Sequence, residues 1–289
     1  MTPIRRTTML TAIGLGTAGL MAASVVFTKS QVTTSYRVRT AAASESARSG
    51  LQQALDDHLQ TLSDLSRSLG ELPAANADEY RERAVRAATQ APAFAAINFL
   101  DHRFIETYLY PYGPNRSLEG LDLKTRFDAL PAAHRAVASN NPAATGLVPL
   151  AQGGQGFLTY VPVRRKDRWE GLVEGTLERN EFGKRFVVRA VPPDHDASVL
   201  DESNDTPFYT TALRPETTFG PYDYYVTLRF VDRRWWVVLH PRTSPSPLWP
   251  LTGVMLLELG LGAFLVRRLI TVGGLRDAAT TSRLPDVPL

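Results

Sequence analysis

Two long apolar runs bracket the chain, and different periodicities lie between them. From Thr7 to Thr28 there are 22 consecutive uncharged residues, among them Leu10, Ile13, Leu15, Leu20, Val25, Val26 and Phe27. About 20 such residues cross a bilayer core, so 7–28 is expected to span a membrane behind a short cytoplasmic start at 1–6. The rival is a cleaved signal peptide, because Arg5-Arg6 resembles its basic start. That apolar region is usually only about 7–15 residues, however, and Ala41-Ala42-Ala43 lies too far along to be its cleavage site. The second run, 243–266, is broken only by Glu258. Trp249 sits at one boundary, where an indole favours the interface, and Arg267-Arg268 close the other. Pro245, Pro247 and Pro250 suit a helix entry, since proline is tolerated in the first turn and not deeper. Glu258, in mid-span, needs a partner across a helix–helix contact, a proton, or a reach to the headgroups.

Behind the first run, 41–70 contains no proline. Leu51, Leu55, His58, Leu62, Leu65 and Leu69 recur at alternating spacings of four and three. That is the stripe of a helix packed on a partner, either its own domain or a second copy in a parallel homodimer. A second helix is expected over 76–90, with Asp78 and Glu79 in its first turn. The period then shortens to that of strands: 94–100 and 104–110 read as a hairpin, followed by a Pro/Gly break at 111–114. A mostly helical stretch, 122–140, is expected to break at Pro131. Strands at 147–151, 156–163 and 171–177 follow, joined by turns too short for parallel crossovers, so the sheet is antiparallel. Residues 180–242 form a smaller unit, with a helix over 181–191, short strands at 198–200 and 208–209, and a hairpin of 224–230 with 235–240. Trp235 and Trp236 must face opposite sides of their strand. The fold class is α+β.

Charge sharpens this picture. The formal charge of +3 over 289 residues divides as +2 in 1–28, −1 in 29–266 and +2 in 267–289. No broad basic field is available to track a phosphate backbone, so nucleic acid is not an expected partner. Both short ends are basic, which by the positive-inside rule puts 1–6 and 267–289 in the cytoplasm and 29–242 outside. The absence of cysteine excludes a disulfide scaffold, a thiol nucleophile and a cysteine-ligated metal.

A set of short motifs then appears in a fixed order. It runs Ile97-Asn98-Phe99-Leu100-Asp101, Tyr110-Pro111 with Asn115, and Gly120-Leu121-Asp122-Leu123. Thr145-Gly146, Gln152-Gly153-Gly154-Gln155-Gly156-Phe157, Tyr160-Val161-Pro162-Val163 and Gly171-Leu172-Val173-Glu174-Gly175 complete it. Together these resemble the CHASE domain, an extracytoplasmic sensory domain of histidine kinases and nucleotide cyclases. The resemblance covers about 90–180. It implies a long stalk helix (41–90) followed by two PAS-like lobes, a membrane-distal one at 91–178 and a proximal one at 179–242. It also implies a small-molecule ligand between the distal sheet and the helical connector. The positions matching that region are Asp122, Asp128, Thr145, Val148, Phe157, Tyr160 and Gly171. Plant cytokinin receptors of this family hold their ligand with a carboxylate and a threonine, for which Asp122 and Asp128 are the carboxylate candidates. Leu147-Val148-Pro149 departs from them in lacking a hydroxyl. Family members usually continue into an output domain after the second span, whereas 23 residues follow Val266 here.

No motif for an enzyme stands out: H-E-x-x-H, G-x-S-x-G and the P-loop are absent from the sequence. Asp194-His195-Asp196 reads as a solvated loop, and Gly153-Gly154-Gln155-Gly156 lacks the following helix that a phosphate cradle needs. The chain is therefore expected to be a non-enzymatic, cofactor-free sensor in the inner membrane. It would take a small-molecule ligand and signal to a separate cytoplasmic or membrane partner. The alternatives are an anchored scaffold that has lost its pocket, or a remnant of a longer sensor kinase or cyclase.

Overall fold

A computed structural model describes residues 3–72, 76–204, 206–212 and 220–243, with 252–253, 256–261, 263–264 and 267 beyond them. The chain divides into two compact units, Arg37–Thr243 and a second made of Met1–Tyr36 with Ser244–Leu289. Helix α1 (Pro3–Gly70) is unbroken. No helix among the described residues is long and apolar enough to cross a membrane. Most of the expected second span and nearly all of the 267–289 tail lie outside the described residues. Where it is described, the terminal unit exposes large apolar side chains: Leu15, Leu20, Val26 and Phe27 on α1, and Leu256, Leu257, Leu259, Leu261 and Phe264 near the other end. Within that unit Ser24 Oγ donates to Glu258 Oε1 at 2.6 Å, so the mid-run acid has a helix–helix partner.

The larger unit is α+β with two antiparallel sheets. The six-stranded sheet is built from β1 (Phe94–Asp101), β2 (Glu106–Tyr110), β3 (Ala143–Ala144), β4 (Val148–Pro149), β5 (Gln155–Arg165) and β6 (Arg168–Glu178). Its order is β2-β1-β6-β5-β3, with β4 also on β5. The four-stranded sheet orders β7 (His195–Asp201), β8 (Tyr209–Thr210), β9 (Tyr224–Phe230) and β10 (Arg233–Pro241) as β8-β7-β10-β9. Short polar turns make the antiparallel pairing. β5 meets β6 across Lys166-Asp167, and β9 meets β10 across Val231-Asp232, with Lys166 and Val231 both left-handed.

The leucine stripe of α1 is used inside its own domain. Leu51, Leu55, Leu62, Leu65 and Leu69 are buried in one core that also holds Ile97, Phe157 and Val173 of the first sheet and Val199, Leu228 and Trp235 of the second. Trp235 is fully buried, its ring 4.7 Å from that of Phe157 and 4.2 Å from that of Phe230. Such a side chain contributes roughly 1.5–3 kcal/mol by leaving water. Trp236 faces the other way, half exposed, and stacks on Tyr225. Gln52 of α1 completes the β9 edge: its amide donates to the Arg229 carbonyl and accepts from the Arg229 N–H, at 3.0 and 2.8 Å. His58 on the stripe is half-buried between Phe94 and Phe186. Gly70 ends α1 where the helix touches β5, since a Cβ there would lie 2.1 Å from the Arg164 carbonyl oxygen.

Helix α2 (Ala77–Gln90) starts at Asn76, whose side chain accepts from the N–H groups of Asp78 and Glu79. It covers the same face of the first sheet as α1. The connector between β2 and β3 covers the opposite face. It comprises α3 (Tyr112–Asn115), 3₁₀ turns at Arg116–Leu118 and Leu123–Thr125, and α4 (Leu130–Ser139). The helix expected over 122–140 is thus shorter. Pro131 lies in the first turn of α4, where its missing N–H costs nothing, so it opens the helix. Ala143–Ala144 pairs with β5 as an additional strand. It is too short to show an alternation. Residues 179–190 form one irregular helix: α5 (Arg179–Phe182), a π turn (Gly183–Val187) and α6 (Val188–Ala190).

Candidate functional site

Strand alternation sends successive side chains to opposite faces, and this divides the six-stranded sheet chemically. One face is apolar and lies under α1 and α2. The other carries Leu100, Leu158, Tyr160 and Leu172, packed against Leu123, Ala129, Ala132, Ala133 and Ala136 of the connector. Set into this second apolar layer is a polar group: Glu106 on β2, Asn98 on β1, Glu174 and Thr176 on β6, all buried. Asn98 Nδ2 donates to Glu174 Oε1 at 3.2 Å, and Thr176 Oγ1 lies 3.5 Å from the same oxygen. The Tyr160 hydroxyl sits beside this carboxylate without an aligned hydrogen bond.

The connector is pinned over these groups by a few polar contacts. Arg126 grips Asp128 through two bonds of 3.0 and 2.9 Å and donates to the Pro149 carbonyl at 2.7 Å. Gln152 Nε2 donates to Asn115 Oδ1 at 3.0 Å. Beneath them is a cavity of about 20 Å³ lined by Glu106, Glu174, Thr176, Arg126, Leu118 and Leu158, among others. That is room for about one water.

Electrostatics follows from burial. Glu106 is held well above the usual carboxylate range, first by burial and then by the charge of Glu174, with Arg126 opposing. Glu174 is also raised by burial, against the nearby Tyr160 hydroxyl, the hydrogen bond from Asn98 and the charge of Arg126. Tyr160 is raised by burial and by both acids. Asp128 goes the other way, lowered by its hydrogen bonds from Arg126.

The seven sequence-derived positions take different places. Tyr160 and Val148 belong to the connector-side layer. Asp128 orients Arg126. Asp122 caps the 3₁₀ turn, accepting from the Lys124 N–H at 2.9 Å. Thr145 is buried, and its Oγ1 accepts from the Leu158 N–H at 3.0 Å, extending the β3 pairing. Phe157 faces α1, in the aromatic cluster with Phe208, Phe230 and Trp235. Gly171 lies where β6 passes β1, its Cα against the Leu100 carbonyl. Asn98, Glu106, Arg126 and Glu174 stand outside that set. For the two acids a signal exists in the sequence: each interrupts an apolar strand, as Phe-Ile-Glu-Thr-Tyr-Leu (104–109) and Gly-Leu-Val-Glu-Gly-Thr-Leu (171–177).

The fold that carries this site has counterparts among known proteins. The CHASE domain family matches residues 67–209. This segment is a CHASE domain. No curated protein matches the chain in sequence. Among solved structures, an extracellular ligand-binding receptor from Desulfohalobium retbaense superposes with a TM-score of 0.59 at 12% identity, over 70% of this chain and only 40% of that one. The sensory domain of the Campylobacter jejuni chemoreceptor Tlp3 gives 0.57 at 11% identity, over 74% and 97% of the two chains. The ligand-binding domain of the Pseudomonas fluorescens chemoreceptor CtaA, in complex with L-valine, gives 0.55 at 13% identity, over 72% and 98%. At such identities the likeness is one of fold: the CHASE domain here has the architecture of extracellular sensory domains.

Proposed function

We propose that the protein is a membrane-anchored extracytoplasmic sensor that binds a small molecule between the six-stranded sheet and the connector. The single observation that carries this reading is the buried polar group at Glu106, Asn98 and Glu174 under a connector held by a few hydrogen bonds. A layer that served packing alone would lack these groups, because a buried polar atom without a full set of partners destabilises the fold. The CHASE match and the folds of the chemoreceptor domains support it. Within the pocket Asp128 acts through Arg126, and Tyr160 flanks Glu174. Lobes at 91–178 and 179–242 form the domain, and the apolar segments 7–28 and 243–266 hold it to the inner membrane. The exposed apolar side chains of the terminal unit support that anchoring, since large contiguous apolar surface is rare against water.

Binding opens the connector, and the change passes through α1 and the second membrane helix to a separate partner at the cytoplasmic face. A ligand shifts such an equilibrium only by its difference in affinity for the two conformations. The tight cavity favours one second reading, a membrane-anchored scaffold whose pocket has closed. Thermal unfolding of the full chain in detergent, across a broad metabolite library, separates the two. A saturable rise in melting temperature, removed by Ala151→Trp at the cavity mouth, is expected for a sensor; no rise with any compound establishes the scaffold.

A further inference from the structure

The unpaired polar atoms at the cavity and on the strands beside it share one chemistry. When Glu106 is ionised its Oε2 is a hydrogen-bond acceptor only, as is Asn98 Oδ1, and the Tyr160 hydroxyl accepts as well as donates. All three belong to residues at least nine-tenths buried, and none has a partner among the described residues. Glu106 and Glu174 both line the cavity. The cation that acts on both acids, Arg126, is already committed to Asp128 and the Pro149 carbonyl. With Glu106 ionised, the floor thus has more acceptors than donors. Among the described residues no group of three His, Asp or Glu is placed to hold a metal ion. The cavity admits a group about the size of a water molecule, which suits –NH₃⁺ and excludes a trimethylammonium head.

Resting on the reading of this cavity as the ligand pocket, we propose that the ligand carries a primary ammonium group received by Glu106 and Glu174. Asn98 fixes Glu174 for the contact, and the alkyl carbons next to the ammonium lie against Leu118 and Leu158. The groups facing the two acids are Tyr160 from β5 and Arg126 with its Asp128 from the connector; Tyr80 of α2, bonded to the Ile97 carbonyl at 2.7 Å, lies on the other side of the sheet. Of these only Arg126 is cationic. Burial and the charge of Glu174 raise the Glu106 carboxyl, which favours its protonated form in an empty pocket. Arrival of R–NH₃⁺ expels that proton to solvent and leaves a carboxylate–ammonium pair, so binding releases up to one proton.

The test uses the full chain in detergent at pH 7.5, with a panel running from methylammonium through n-butylammonium to 1,4-diaminobutane. Alcohols of matching length and tetramethylammonium serve as controls. The expected result is a saturable rise in melting temperature with at least one primary amine and with none of the controls. The rise should require at least tenfold more ligand in Glu106→Gln and Glu174→Gln. Titration calorimetry in two buffers of different ionisation enthalpy should show proton release with the wild type and none with Glu106→Gln. Because these Gln variants remove buried acids, they are expected to melt at or above the wild-type temperature, which separates lost binding from lost folding. Equal responses to amine and alcohol, or an amine response unchanged in both Gln variants, overturn the proposal. If a neutral or anionic metabolite shifts the wild type but not Ala151→Trp while no amine does, the ammonium fails and the sensor stands. If no compound shifts it, both fall.

Discussion

Arg135 of α4 and Asp232 in the β9–β10 turn form an ion pair of 2.9 Å that fastens the connector to the four-stranded sheet. The contact is a small network. Arg135 also donates to the Ala144 carbonyl at 2.7 Å, and the Ala144 N–H donates to the other Asp232 oxygen at 2.8 Å. Any displacement of α4 therefore pulls on β3 and on the turn together, which makes this network a route from pocket to second sheet.

Both charged side chains are partly exposed, at 46% and 32%, so their Coulomb attraction is largely screened. Asp232→Ala is expected to cost about 1–2 kcal/mol, mostly because the Ala144 N–H loses its acceptor. Arg135→Ala should cost less, about 0.5–1 kcal/mol. A double-mutant cycle from urea unfolding should return a coupling near 0.5 kcal/mol. Strict additivity would mean that the two residues meet without interacting.

Glu106 sets a pH dependence of stability. Its folded value is raised above the ordinary 4.5, by burial first and the charge of Glu174 second. The folded chain therefore keeps a proton that the unfolded chain releases above about pH 4.5. That contribution is full below 4.5 and is lost as pH rises towards the folded value. Glu106→Gln removes the slope. The variant should match the wild type near pH 4 and exceed it by a growing margin as the pH rises to 8. Parallel curves for the two proteins across pH 4–8 would show that Glu106 ionises freely in the folded chain.

Asp201 behaves in the opposite sense. Burial opposes its ionisation, but hydrogen bonds from Arg233, two of 2.9 and 2.7 Å, and from Ser203 outweigh this and lower it to about 2 from 3.8. The stabilisation is present above pH 3.8 and fades as pH falls to about 2. Discounted for the partial exposure of the pair, Asp201→Asn should cost about 1–2 kcal/mol at pH 6 and almost nothing at pH 2. Urea midpoints of the two proteins, taken from pH 2 to 6, should converge at the acid end.

Much of the fold was legible because periodicity reports packing. The alternating fours and threes from Leu51 to Leu69 specify a buried helix face, and the structure buries that face. Largely apolar runs such as 157–163 and 171–177 specify strands covered on both sides. The same pattern hides the site. A strand buried on both faces shows no alternation, so the sequence does not say which face Phe157 or Tyr160 takes; one faces α1 and the other the connector. Asn98, Glu106 and Glu174 acquire meaning only when the β1–β6 and β1–β2 registers bring them side by side. Arg126 is joined to them by a connector whose path no local pattern encodes.

Gly171 is the position where packing and recognition make opposite predictions. It pairs with Asp101 on one side and Val163 on the other. A Cβ at Gly171 would lie 2.1 Å from the Leu100 carbonyl oxygen and 2.7 Å from Phe99 Cζ. The first neighbour is backbone and has no room to move, so β1 and β6 would have to separate. Gly171→Ala is expected to destabilise the domain by about 2–3 kcal/mol. It should do so without changing the affinity of the folded fraction for any pocket ligand, because the nearest atoms belong to the strand pairing. Urea unfolding gives the first quantity, and titration well below the unfolding transition gives the second. A variant that unfolds like the wild type yet binds at least tenfold more weakly would move Gly171 from the sheet's packing to the pocket.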